Sequence, residues 1–164
     1  MNSSEPIHIH LWMCYNYSGI ISKISSLWKQ TAMCTSPLFA EQENRAAKRI
    51  LIVESDAALA VLLEVILSGE QHYCCAVAST CCAALTITAP FTPDLFILNT
   101  YLPDGDSFAL YDRLHAKQEL AGVPTIILST HLTRYQRAVE ARQLVGMDLP
   151  FDLDALLDTV DNLL

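Results

Sequence analysis

The chain changes character near Arg49. Before it, apolar and polar residues keep no sustained period; after it, short continuous apolar runs alternate with segments of helical periodicity. The runs are RILIV ending at Val53, HYCCAV from His72, DLFIL from Asp94, TIILS from Thr125 and a weaker LVGM from Leu144. A run that is apolar at every position suits a strand covered on both faces, as in a parallel sheet between two helical layers. The segments between them are helix-sized. After the first run Leu59, Leu62, Leu63, Ile66 and Leu67 recur at helical spacing, with Gly69 placed to end the helix. The last segment turns Leu153, Leu156, Leu157, Val160 and Leu163 inward and Asp154, Asp158 and Asp161 outward. Five βα units joined by right-handed crossovers predict an α/β fold, a doubly wound five-stranded parallel sheet in a three-layer αβα sandwich. Ligands of such sheets sit at the carboxyl ends of the strands, which directs attention to Glu54, Ser55, Asn99, Ser129 and Leu149.

Composition fits one such domain plus an extension: 164 residues, 52% hydrophobic and 17% charged. The formal net charge of -8 belongs entirely to residues 48–164, because the first 47 residues carry equal numbers of acidic and basic side chains. An acidic domain repels phosphate backbones and anionic lipid, which argues against direct nucleic-acid binding. The domain division is therefore 1–47 as a poorly ordered N-terminal extension and 48–164 as the folded domain. Within the extension Ile20, Ile24, Leu27 and Trp28 could line a short helix that docks on the domain, touches a partner or membrane, or belongs to translated upstream sequence ahead of a start at Met33. The uncharged stretch from Pro6 to Ser22 is too interrupted by polar groups for a good membrane span. His8 and His10 lack further ligands, so the expected metal is none. Glu5 stands where a secretory n-region would be basic, and the six cysteines then imply a reducing cytoplasm and not a disulfide framework.

Five stretches resemble the receiver domain of two-component response regulators: ILIVESD from Ile50, PDLFILN from Pro93, YLPDGDSFAL from Tyr101, VPTIILST from Val123 and LPFDLDALL from Leu149. The resemblance covers Lys48 to Leu164 and implies a flavodoxin-like, CheY-like sheet of strand order 2-1-3-4-5. In that family an aspartate at the end of the third strand accepts a phosphoryl group. An acid pair after the first strand helps to hold Mg²⁺, and a lysine before a proline meets the phosphoryl oxygens. A carboxylate nucleophile, oxygen ligands for a hard cation and a fixed positive charge each answer a chemical need. Carried over by position, the phosphoacceptor-equivalent is Asn99, the acid-pocket equivalents are Glu54 and Ser55, and the lysine-equivalent is Leu149. Ser129 retains the switch hydroxyl, while Gly146 falls where many relatives carry a switching aromatic. An amide cannot form the acyl phosphate. A lysine left beside it would be an unpaired buried charge, so losing both is cheaper than losing one. The resemblance thus implies a degenerate pseudo-receiver, independent of phosphorylation, with Mg²⁺ binding weak or absent. Phosphorylation of Asp56, Asp104 or Asp106 is the alternative; their simpler roles are helix caps and turn residues.

With the pocket silent, the surfaces matter more. Ala60, Val61 and Val65 fall opposite the core leucines of the first helix, an apolar stripe that suits a protein partner; the resemblance implies a histidine kinase, a phosphotransfer protein or another regulator there. No Asp, Glu, Lys or Arg lies between Glu70 and Asp94, and a helix over residues 79–89 would show Cys82, Thr86 and Thr88, a face that the extension or another chain could cover. Cys74, Cys75, Cys81 and Cys82 lack a CxxC knuckle and suit small apolar filling better than metal. Arg134, Arg137 and Arg142 on the fourth helix and Asp154, Asp158 and Asp161 on the fifth would let a homodimer form by charge complementarity. No phosphate-cradling GxxxxGK[ST] or GxGxxG follows a strand and no Ser-His-Asp or Cys-His set can be placed, so a small α/β enzyme of another chemistry is the contrasting class. With no output domain after Leu164, the expectation is a stand-alone module that acts through partners.

Overall fold

The computed structural model describes residues 47–70 and 72–164. The expectations placed on the extension, including His8, His10, the Ile20 stripe and Met33, lie outside the described residues.

Strand β1 (Lys48–Val53) leads to helix α1 (Ala57–Ser68), then β2 (Tyr73–Ala78), α2 (Cys81–Ile87) and β3 (Leu95–Asn99). A two-residue ribbon follows, β4 (Tyr101–Leu102) against β5 (Gly105–Asp106), before α3 (Ser107–His115), β6 (Thr125–Ser129), α4 (Leu132–Ala141), β7 (Val145–Asp148) and α5 (Leu153–Leu163). The five long strands form one parallel sheet in the order β2-β1-β3-β6-β7, which is the 2-1-3-4-5 order once the ribbon is set aside.

Alternation along the strands makes two cores. Ile50, Ile52, Leu95, Ile97, Ile126 and Leu128 face α1 and α5, where they meet Leu59, Leu63, Leu67, Leu156 and Val160. Leu51, Val53, Phe96, Leu98 and Ile127 face the opposite layer, including Ala84, Leu110, Leu114 and Val139. Each of these larger side chains contributes about 1.5–3 kcal/mol by leaving water.

The elements depart from the pattern in a few places. Helix α2 is shorter than the 79–89 span, and Thr88 is buried, its hydroxyl accepting from Lys117 Nζ at 3.1 Å and donating to Leu85 O at 3.1 Å. Ala60 is also buried, at 6% exposure, so it does not belong to the outer stripe of α1; Leu62 and Ile66 are only half-buried in its place. Arg142 caps α4 and turns to α3, donating to both carboxylate oxygens of Asp112 at 2.8 and 2.7 Å. It is thereby committed within its own chain. Gly69 ends α1 in a right-handed conformation, so its freedom at positive φ is not used.

Candidate functional site

Parallel strands that end together bring their terminal residues into one cluster. Glu54 and Ser55 follow β1, Asn99 ends β3, Ser129 ends β6 and Leu149 follows β7. Glu54 is buried at 1% exposure and both carboxylate oxygens have donors: Asn99 Nδ2 reaches Oε2 at 2.6 Å and the Asp56 N–H reaches Oε1 at 2.8 Å. Burial pushes the Glu54 carboxyl above its ordinary value, partly offset by those two hydrogen bonds. The other end of the Asn99 amide is also committed, because Oδ1 accepts from Tyr101 N–H at 2.9 Å. A carboxylate on one side and an N–H on the other fix which way the amide points.

Around this pair the strand ends are tied by hydroxyls. Ser55 donates to Tyr101 O at 3.0 Å, and Ser107 donates to Asn99 O. Thr100 donates to Ser129 Oγ at 3.0 Å, which also accepts from His131 N–H at 3.1 Å. Ser129 O accepts from Leu149 N–H at 2.7 Å, while the Leu149 side chain packs on the core shared with α1 and α5. The cluster therefore has no basic group at Leu149 and no carboxylate at Asn99; what it can do is hold the ends of β1, β3 and β6 in one arrangement.

The three other carboxylates near the site serve backbone N–H groups. Asp56 caps α1 through Ala58 and Leu59, and Asp106 caps α3 through Ala109 at 2.8 Å. Asp104 reaches from the ribbon to the N–H groups of Cys81 and Cys82 at 2.7 and 2.9 Å, and those bonds hold its carboxyl below the usual carboxylate range. Tyr101 and Ser107 lie within YLPDGDSFAL without a role in the resemblance, and Thr100 lies just outside it; two hydroxyls flanking a strand end are a usable signal.

A close contact also lies beside Gly146. A Cβ built there would stand 2.7 Å from Leu132 Cδ2 and 2.8 Å from Cδ1, so the α4 leucine occupies the room that a side chain at 146 would need. Asp148 fixes that leucine's backbone by accepting from Leu132 N–H at 3.1 Å. A groove of about 280 Å³ lies alongside, lined by Leu132, Thr133, Gln136, Val139, Glu140, Gly146 and Asp148.

On the surface Val61 is 57% exposed and Tyr101 80% exposed, whereas Val65 is half-buried. Arg134 and Arg137 on α4 and Asp154, Asp158 and Asp161 on α5 are exposed; Asp161 also accepts from Tyr73 Oη across to β2. Cys74, Cys75, Cys81 and Cys82 are free thiols, and burial pushes Cys75 up to about 11 and raises Cys81. Among the described residues no group of three or more His, Cys, Asp or Glu side chains could hold a metal ion, and no helix is long and apolar enough to cross a membrane.

The model of the response regulator receiver domain matches residues 50–161, and the chain belongs to that family. No curated protein matches the chain. Among solved structures, the signal receiver domain of a signal transduction histidine kinase from Syntrophus aciditrophicus is 26% identical, with a TM-score of 0.64 over 71% of this chain and 89% of that one. The non-phosphorylated HemR receiver domain from Leptospira biflexa is 25% identical, with a TM-score of 0.64 over 71% of this chain and 93% of that one. The receiver domain of a sensor histidine kinase from Pseudomonas aeruginosa, which holds a magnesium ion in its active site cleft, shares the fold at 18% identity, with a TM-score of 0.64 over 71% of this chain and 97% of that one. The chain is thus a receiver domain of two-component signalling, a signalling module in class.

Proposed function

We propose that this receiver domain works by binding proteins, with no phosphoryl transfer to Asn99 and no Mg²⁺ held tightly at the strand ends. The observation that carries the reading is the 2.6 Å hydrogen bond from Asn99 Nδ2 to Glu54 Oε2. The amide donor takes the lone pairs that a cation would take, and Glu54 Oε1 is already engaged by the Asp56 N–H. Mg²⁺ asks for octahedral oxygen ligation with one or two carboxylates, and Glu54, Ser55 and Asn99 do not fit that demand. Leu149 in turn brings no charge to a phosphoryl group. The pocket is satisfied from within its own chain.

Its output then comes from the surface of α1 around Val61 and Val65, offered to a histidine kinase, a phosphotransfer protein or another regulator in a reducing cytoplasm. Val61, exposed beside half-buried Val65, supports that face. A homodimer through exposed Arg134 and Arg137 against Asp154, Asp158 and Asp161 is the second reading, favoured by their opposite signs.

Incubation with acetyl phosphate and Mg²⁺ tests the proposal. The expected intact mass shows no phosphoryl adduct, and Mg²⁺ leaves the thermal midpoint unmoved. An adduct mapped to Asp56, Asp104 or Asp106, or a clear rise of the midpoint with Mg²⁺, overturns it.

A further inference from the structure

The two edges of the sheet are finished differently. Strand β7 is four residues long, contains Gly146 and ends on Asp148. Strand β2 is six residues long, YCCAVA, and pairs with β1 without a bulge from Lys48↔Tyr73 to Val53↔Ala78. It carries no charge, proline or glycine, the devices that guard an open edge. Lys48 N–H donates to His72 O at 2.8 Å and Glu54 N–H to Ala78 O at 2.9 Å. Residues of a parallel strand turn their backbone groups to alternate sides, so Cys74, Ala76 and Ala78 address β1 while Cys75 and Val77 address the open side. Among the described residues nothing pairs with the N–H or C=O groups of Cys75 and Val77. Tyr73 lies on the same side, but its N–H already donates to Glu70 O at 3.2 Å.

We propose that this edge binds the same edge of a second copy of the chain, antiparallel, about a two-fold axis at Ala76. Unpaired strand groups are best satisfied by another strand, and the charge distribution selects which one. The chain carries -8, yet residues 71–93 contain no Asp, Glu, Lys or Arg, so two copies meet there with the least repulsion. The register follows from the free groups. Pairing Cys75 with Val77 of the second copy, and Val77 with its Cys75, exchanges both N–H···O bonds in each pair and uses every open group of those residues. A register that set Cys75 opposite itself would call on the Tyr73 N–H, which Glu70 holds. In the favoured register Ala76 faces its own copy in a non-hydrogen-bonded pair, where side chains come closest and a methyl fits. The interface is isologous and closed, and it joins two five-stranded sheets into one. It does not rest on the reading of the strand-end pocket.

Sedimentation equilibrium from low to high micromolar full-length chain tests it, with Cys74→Lys as the guarding substitution. The wild type is expected to dimerise with concentration, and Cys74→Lys to weaken association by about tenfold or more while its melting curve shows it folded. Under mild oxidation Ala76→Cys is expected to give a disulfide joining position 76 of the two copies, located by peptide mapping. A wild-type chain that stays monomeric throughout overturns the proposal, also if the Cys75 and Val77 amides exchange slowly, since that places a strand of the same chain on the edge. So does a dimer that is indifferent to Cys74→Lys, or one that Arg134→Glu dissolves instead.

Discussion

Strands β1 and β3 each carry two environments a few residues apart. Along Ile50 to Val53 and Leu95 to Leu98 they are wholly buried, and their neighbours are hydrocarbon on both faces. One residue further, Glu54 and Asn99 meet as a carboxyl and an amide inside a hydroxyl-rich ring. The interior depends on volume and tolerates no gap, while the tip depends on donors matched to acceptors and tolerates little change of chemistry. The same sheet can therefore keep its architecture while the chemistry at its end is replaced.

Four substitutions separate the two environments. Phe96→Ala should cost the most, roughly 3–5 kcal/mol in denaturant unfolding, because it empties a fully buried site packed against His115. Gly146→Ala comes next at about 1–3 kcal/mol, and most of that loss should return in a Leu132→Ala background, since the three atoms nearest the new methyl all belong to Leu132. Equal cost in both backgrounds would place the strain elsewhere.

The tip is probed by pH. The Glu54 carboxyl sits above its ordinary value of 4.5, so the folded protein keeps a proton that the unfolded chain releases. Its contribution to stability is full below 4.5 and is lost as pH rises through the elevated folded value. Glu54→Gln, which does not titrate, should flatten that part of the curve of denaturation midpoint against pH; an unchanged slope would assign the loss to other groups. The smallest expected effect is in the interior. Thr125 Oγ1 is buried and has no hydrogen-bond partner among the described residues, so Thr125→Val should raise stability by about 1 kcal/mol.

The parts that could be read from the amino acids are those governed by local pattern. Continuous apolar runs locate all five long strands within a residue or two, and the residues at their ends include Glu54, Asn99, Ser129 and Leu149. Contacts set by tertiary fit were illegible. The burial of Ala60 depends on how α1 sits against its neighbours, and half-buried Leu62 and Ile66 show that helical spacing alone misplaces the covered arc. Nor does any spacing rule say that a leucine at 132 fills the space over a glycine at 146, or that Thr88 turns inward to meet Lys117. Whether a hydrogen bond joins Glu54 to Asn99 or to Ser129 likewise depends on rotamers that the sequence leaves open.

The carboxylate of Asp104 has a consequence for the order in which the molecule assembles. Helix α2 has seven residues and no charged side chain, well below the length at which an isolated helix holds in water. Its first N–H groups are met by Thr80 at Ala83, and by Asp104 at Cys81 and Cys82. Two of those acceptors arrive from more than twenty positions downstream. Helix α2 therefore takes two of the three acceptors at its N-terminus from the chain beyond β3, so its first turn is completed only once the ribbon is in place.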